Sequence, residues 1–531
     1  MPKEKSQKIN GIEYVYYDKP VWNAEKKYGT HKREYIGKRV DGQFIPNKSR
    51  QLQQELEQER KKKRGPVPSV SCSRLFYGAT YLFDSIGEKL GITEDLKQCF
   101  QDRYRQILSI AYFLILEDCS PLSRFPRWAA SHKHPFGQTI PSQRSSELLG
   151  SIHEDARQKF FLLQSRRRME QEYLVYDTTS ISSYSKLIKQ VRYGKNKDHE
   201  PLPQINLALL YGEQSRLPVY YRKLPGNISD VTTIRKLLID LDFLQVQKVK
   251  LVLDRGFYSE KNINALYRNH HQFLIAVPKT VKWVQLKLDE VKDTMRGRRY
   301  YNAQHKINFY SCPVQWNYSE VKKRSGTVIT DTRRCYLHLF FNDQQAVDDK
   351  IEFNAFLDRL EEELRSNNRI PEHEASYRKY YEIKQTPIRG LSIVPKQEAI
   401  DEAERYDGYF ALISNSIKDP LEALEIYRGK DVVEKAFGHL KERLNLRRTS
   451  VSSEENLEGK LFVQFIALVY IAYISKVMSD QNLFKEYTLQ ELLDELDVIE
   501  YFEQPGHQPH IGDMTKKQID MYTKFGIEIP T

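Results

Sequence analysis

Residues 172–180 read EYLVYDTTS and residues 248–257 read KVKLVLDRGF. In each, a run of aliphatic, aromatic and β-branched residues stops at an acid, Asp177 in the first and Asp254 in the second. Such runs predict buried strands. An acid at the carboxyl end of a strand is held by a rigid sheet and projects past its edge. Between the two lie INLALLYG (205–212) and LPVYYRKLPG (217–226), with turn signals at Gly212-Glu213 and Pro225-Gly226-Asn227. A helix is predicted over 229–243, with Ser229 or Asp230 able to cap its start. A second helix over 259–270 and a strand at FLIAVP (273–278) follow. The order β-β-β-α-β-α-β predicts an α/β fold built on a mixed sheet.

Further along, residues 284–407 break this rhythm. Strand-like pieces INFYSCPVQWNYSEV (307–321), GTVITDT (326–332) and RRCYLHLFF (333–341) precede the charged helix FNAFLDRLEEELRSNN (353–368), and a second charged helical stretch is read over 371–384. This region reads as an insertion. GYFALISN (408–415) returns to strand character, and residues 421–446 read as one helix. At 100° per residue, Tyr427, Lys430, Glu434 and Lys441 share an arc of about 60°, beside an apolar arc of Val433, Phe437, Leu440 and Leu444. One face packs, and its neighbour is cationic around a single acid. Carboxylates from separate elements, Asp177, Asp254 and Glu434, are the donors that two hard divalent cations need for phosphoryl transfer. Taken singly, Asp177 and Asp254 read more readily as cap or turn residues, and Glu434 as half of a surface ion pair with Lys430, so the argument depends on the combination.

Outward toward the N-terminus, residues 73–170 show three- and four-residue apolar spacing throughout, as in ILSIAYFLILED (107–118), and predict a helical, basic domain. Residues 51–64 read as a polar helix ending in the run Arg60-Lys61-Lys62-Lys63-Arg64, stopped by Gly65-Pro66-Val67-Pro68. Residues 10–50 alternate, with a hairpin signal at Asp41-Gly42, and predict a small sheet carrying Lys32, Arg33, Lys38 and Arg39. A small basic sheet of this kind can lie in a DNA groove or simply be solvated.

The formal net charge of +12 and a Tyr count of 34 favour a polyanionic partner, nucleic acid first. Five scattered cysteines, none in a C-x-x-C pair, argue against a zinc ribbon or a disulfide framework and for a reducing cytoplasm. The N-terminus has no apolar leader segment, and no H-x-x-x-H or H-E-x-x-H supports a zinc hydrolase using His199, His270 or His271. The longest apolar run, 461–474, is broken by Gln464 and reads as a buried helix, not a membrane span.

DTTS at 177, LVLDRGFYS at 251, PGNISD at 225 and Y-x2-K-x3-E-x6-K at 427 together resemble the motifs of bacterial insertion-sequence transposases, specifically the IS-four kind with a Y-x2-R-x3-E-x6-K signature. The similarity covers most of 171–278 and 408–480. It implies an RNase H-like core in two parts (171–283 and 408–480) and a largely β insertion (284–407). Before the core come a basic β element with a polar helix (1–65) and a helical DNA-binding domain (66–170), and after it a C-terminal tail (481–531). It implies that Asp177, Asp254 and Glu434 are catalytic and hold two Mg²⁺ or Mn²⁺ ions. It further implies that Tyr427, Lys430, Lys441, Arg255 and Thr179 contact double-stranded DNA, and that a homodimer holds two transposon ends for cleavage and strand transfer. Relatives with a β insertion pass through a DNA hairpin, for which Trp283 or Trp316 is a candidate stacking residue, a buried core position being the alternative for each. The signature's arginine is Lys430 here, which keeps the charge and loses the bidentate fork. An endonuclease or a domesticated DNA-binding protein on the same core is the alternative reading.

Overall fold

The computed structural model describes residues 3–23, 28–40, 42–51, 72–168, 172–246, 248–322, 326–386, 390–449 and 451–531. The basic run at 60–64 and the Gly-Pro linker at 65–68 lie outside the described residues. The chain divides into two compact units, Met1–Arg74 with Tyr501–Ile511, and Leu75–Glu500 with Gly512–Thr531.

In the first unit, β1 (Lys3–Ile9), β2 (Ile12–Asn23), β3 (Tyr28–Val40) and β4 (Gln43–Pro46) form an antiparallel sheet in chain order. β3 and β4 pair from Val40↔Gln43, as a hairpin signal at 41–42 predicts, and Gly42 takes a positive φ of 79° that a side chain would resist; residue 41 lies outside the described residues. Val15 and Ile36 are its buried aliphatic residues.

The region read as helical throughout opens instead with a strand, β5 (Ser73–Phe76), and is not helical over 130–141; most of the rest forms helices, among them Gly78–Lys89, Ile92–Phe100, Tyr104–Leu116, Ser142–Gly150 and Glu154–Arg168. They gather around the long helix Glu454–Asp480, buried continuously from Leu461 to Ala472. Edge-to-face ring pairs fix this packing, among them Tyr112–Tyr470 at 5.6 Å and Phe161–Phe465 at 5.4 Å. The helix is long and apolar enough to cross a membrane, yet 78% of its most apolar window is buried inside the protein. Gln464, the polar break in the apolar run, donates its amide to the Leu444 carbonyl at 2.6 Å. The donor side of a buried amide is thereby satisfied, and the spine is tied to the segment after Glu434.

The core is a ten-stranded mixed sheet. Its strands are β6 (Tyr173–Ser183), β7 (Gln204–Gly212), β8 (Pro218–Pro225), β9 (Lys250–Leu253), β10 (Gln272–Val277), β11 (Tyr301–Asn302), β12 (Ile307–Val321), β13 (Val328–Phe341), β16 (Tyr409–Ser414) and β17 (Arg448–Thr449). A separate hairpin, β14 (Tyr381–Thr386) and β15 (Gly390–Pro395), and the short pair β18 (Glu500–Glu503) and β19 (His510–Ile511) complete the described strands. The core order is β11-β12-β13-β16-β10-β9-β6-β7-β8, with β17 beside β6. Strands β6, β9 and β10 run parallel, as does the short β17 beside β6, and the flanking β7 and β16 are antiparallel. Helices Asp230–Phe243 and Glu260–Arg268 connect β8 to β9 and β9 to β10. This is the α/β, RNase H-like arrangement expected from residues 171–278.

Three further local expectations change. The strand-like pieces at 326–332 and 333–341 are one strand, β13, whose hairpin with β12 extends the core sheet through β16. The helical stretch read over 371–384 ends at Tyr380 and continues as β14, because its alternating YEIKQT pairs with GLSIVP. The single helix read over 421–446 is three segments, Pro420–Arg428, Asp431–Gly438 and a π-helical turn His439–Arg443.

Candidate active site

Strand register brings the first two acids together. The last parallel pair between β6 and β9 is Tyr176↔Leu253. Asp177 and Asp254 are each the next residue, on adjacent strands that lie roughly 4.8 Å apart. Asp254 follows the end of β9, as its sequence predicts. Asp177 does not end its strand: β6 runs on to Ser183, because residues 178–182 continue to pair with β7. The Thr178 amide donates to Asp177 Oδ1 at 2.7 Å, and the Thr178 hydroxyl donates to Asp230 at 2.6 Å. Thr179 is 4% exposed and lies within the sheet, with no surface offered to a duplex in this state.

Glu434 arrives on the helix Asp431–Gly438, whose Val433, Ala436 and Phe437 are buried. Leu440 and Leu444 extend that packed face, so the apolar arc read from the sequence is present. The wheel itself is not regular. The amides of Lys430, Val432 and Val433 bond three residues back, and the segment after Gly438 is π-helical. Three-residue bonds overwind a helix and five-residue bonds underwind it, so 100° per residue does not hold from Tyr427 to Lys441.

The overwound junction places Lys430 among the acids. Its Nζ lies 3.0 Å from Glu434 Oε1 and 3.7 Å from Asp254 Oδ1. The Tyr427 hydroxyl donates to the same Asp254 oxygen at 2.6 Å. Arg428, the nearby arginine, turns instead to His305, at 3.4 Å. Arg255 is exposed beside Asp254. A cavity of about 540 Å³ opens here, lined by Asp254, Arg255, Tyr427, Arg428, Lys430 and Lys279 among others.

Two residues that no motif marked complete the cluster. Lys197, in the loop between β6 and β7, reaches Asp177 Oδ1 at 3.4 Å and donates to the Thr178 carbonyl. Its neighbour Asp198 takes the Lys441 ammonium on both oxygens, at 2.8 and 2.7 Å. Lys441 is therefore paired and would have to leave Asp198 to meet a phosphate. The loop is pinned where Gly194 meets the Gly226 carbonyl, so close that a Cβ at Gly194 would lie 2.0 Å from that oxygen.

Burial pushes the Asp177 carboxyl above its ordinary value, although Lys197, the Thr178 amide and Lys430 oppose that; the Asp254 charge adds to it. Burial also pushes Asp254 upward, but the Tyr427 hydrogen bond and the charges of Lys430 and Arg255 outweigh it and leave that carboxyl lowered. For Lys430, burial is outweighed by the Asp254 charge and by the bond to Glu434, so its ammonium is held more firmly than usual. Burial and the Asp254 charge raise the Tyr427 phenol, which stays a donor.

The donors are carboxylate oxygens only, the chemistry of a hard divalent cation. Among the described residues no three His, Cys, Asp or Glu are grouped closely enough to hold a metal as they stand. Asp254 and Glu434 are bridged by an ammonium, so a cation of the same sign fits that place. Trp316 is 7% exposed and donates to Asn264 at 2.8 Å; Trp283 donates to Tyr258 at 3.2 Å, and the two indoles pack edge to face at 6.4 Å. Both are engaged in packing, the alternative raised for them above.

The family model described as a transposase DDE domain matches residues 169–470, more than half of the chain. No curated protein matches the sequence. Among solved structures, the chain is similar to the piggyBac transposase of a cryo-EM synaptic complex with hairpin DNA. The identity is 10%, the alignment covers 78% of this chain and 70% of that one, and the TM-score is 0.32.

Proposed function

We propose, since this chain belongs to the transposase DDE-domain family, that Asp177, Asp254 and Glu434 are its catalytic carboxylates. The protein is a transposase, an enzyme of DNA cleavage and strand transfer acting in DNA transposition and recombination. We place it in the insertion-sequence group whose signature it resembles at 427–441, with Lys430 in place of the arginine, and its site of action in the cytoplasm at the nucleoid. Five free cysteines are in keeping with that compartment. Residues 171–283 and 408–480 are taken as the two parts of the core.

Transposases of this family in general depend on a divalent metal. We infer two ions, Mg²⁺ or Mn²⁺, held by the three acids. Bound there, they supply Lewis acidity for an attacking water or 3′-hydroxyl and for the leaving oxygen. The chain's own groups do the rest. Tyr427 donates to Asp254 and fixes that carboxylate's rotamer. Lys430 balances Asp254 and Glu434 and is positioned to turn its charge to a phosphate. Arg255 and Lys441 offer further charge to the backbone of the bound end, and Thr179 stiffens the strand under Asp177. The observation that carries this reading is the shared register position of Asp177 and Asp254 with Lys430 reaching from the third acid's helix.

The test is Asp254→Asn, assayed on a duplex carrying a transposon end. Cleavage should fall by on the order of 10³-fold or more while end binding survives. Mg²⁺-dependent cleavage that persists in the variant would overturn the assignment.

A further inference from the structure

The first unit's sheet has two unlike faces. Residues directly paired across an antiparallel sheet point to the same side, and side chains alternate along each strand. The strand register joins Tyr14↔Lys38↔Ile45, then Tyr16↔Tyr35, then Asp18↔Arg33. These therefore share one face. Glu13↔Arg39↔Phe44, Tyr17↔Glu34 and Lys19↔Lys32 share the other. The four basic residues read together from the sequence are thus divided, with Arg33 and Lys38 on the first face and Lys32 and Arg39 on the second.

Side-chain pairing follows this division. On the second face, Glu34 pairs with Lys19 at 2.6 Å, and Glu4 and Glu13 take Arg39 at 3.5 and 3.8 Å. That side also carries a cover, because Arg50 lies over the Tyr17 and Phe44 rings at 5.4 and 5.8 Å. On the first face, the carboxylate among the described residues is Asp18, already engaged by Lys5 at 2.5 Å and His31 at 3.1 Å. Arg33 and Lys38 have no carboxylate partner among the described residues. Arg33 instead lies over the Tyr16 ring at 4.8 Å, and Tyr14 packs on Tyr35 at 5.8 Å. Tyr35 is 44% exposed and Ile45 40%. Residues 1–51 hold twelve Lys and Arg against six Asp and Glu, half of the chain's net charge of +12.

We propose that this first face, centred on Arg33, Tyr35 and Lys38, binds the sugar–phosphate backbone of double-stranded DNA away from the reacting phosphate. Alternation puts Glu4, Glu13 and Glu34 on the opposite side with their own partners, and leaves Arg33, lying over the Tyr16 ring, and Lys38 without a carboxylate partner among the described residues on this one. Charge complementarity names the occupant: a polyanion, and for an enzyme acting on duplex ends, the duplex itself. The inference rests on the DNA-acting reading above and adds a second DNA-binding surface to it.

The experiment uses the full chain in EDTA, so that no cleavage occurs, with a short random-sequence duplex read by fluorescence anisotropy across a salt series. Arg33→Ala with Lys38→Ala should weaken binding about tenfold or more and lower the log–log salt slope by about 2, near 0.9 for each phosphate no longer neutralised. Lys8, which pairs with Glu13, and Lys32 lie on the opposite face, and Lys8→Ala with Lys32→Ala removes the same charge there and should leave binding and slope unchanged. Circular dichroism of each variant establishes that the sheet is folded. Equal weakening in both pairs, no weakening in either, or tighter binding of single-stranded DNA than of duplex would each overturn the proposal. Failure of the unaltered chain to bind any duplex would remove the reading it rests on as well, whereas intact binding indifferent to the face removes this proposal alone.

Discussion

Asp177 is costly to the fold that holds it. Burial raises its carboxyl above the unfolded value, so the native state binds a proton more readily than the unfolded chain. Below the unfolded pKa both states are protonated and no penalty exists. As pH rises through the folded pKa the native carboxylate must ionise in a site where its side chain is only 20% exposed, and stability is lost. Asp177→Asn should therefore raise the melting temperature at neutral pH and abolish cleavage. The gain should shrink as pH falls toward the ordinary carboxylate range, and thermal melts at a series of pH values measure it. A neutral-pH melt unchanged by the substitution would mean that Lys197 and Lys430 fully offset the burial. The three acids were legible because each ends or punctuates a patterned run. Lys197 and Asp198 were not, because KNKD lies in a loop with no period, carried to Asp177 by the close approach of Gly194 to Gly226 and by bonds from the Lys197 amide to Ser180 and from Asn196 to Ser182.

Elements were legible where packing imposes a period and misread where hydrogen bonding departs from it. The β-β-β-α-β-α-β order stood out because each strand is buried and each helix has an apolar stripe. The division of 421–446 left no such trace, since a three-residue bond or a π-turn changes the phase of the wheel while keeping helical composition. Close helix approach is similarly hidden in one small residue. A Cβ at Gly459, on the spine helix, would lie 2.0 Å from the Leu149 carbonyl oxygen, whereas one at Gly438, after Glu434's turn, would meet nothing within 4 Å. Gly459→Ala should destabilise by about 1–3 kcal/mol as the helix Ser142–Gly150 is forced off. Gly438→Ala should instead stabilise by up to about 1 kcal/mol from helix propensity. Chemical denaturation of the two variants side by side separates these outcomes, and a neutral Gly459→Ala would mean the two helices have room to part.

At the scale of the whole molecule, joining DNA requires two ends held at once, and a homodimer is the simplest assembly that does so. Sedimentation of the protein with end-bearing duplexes should give a complex containing twice the 62.7 kDa chain mass, and a stoichiometry of one chain per pair of ends would exclude it. The fold also decides what the residues between the second and third acids can do. Their hairpin, Asn308↔Phe341 out to Val321↔Val328, is about 45 Å long at 3.4 Å per residue. Its near end is wholly buried at Leu337, Leu339 and Phe340, and its far end is bare, with Val321 61% and Val328 59% exposed. In mechanical terms it is a propped beam: short of the exposed tip, Ser319 takes a bond from Asn264 at 3.3 Å and Glu320 lies 3.8 Å from Arg268, so the helix Glu260–Arg268 supports it. A load at the tip reaches the site by two routes, across β16 and β10 to the strand that Asp254 follows, and through the helix Glu260–Arg268 that comes next in the chain.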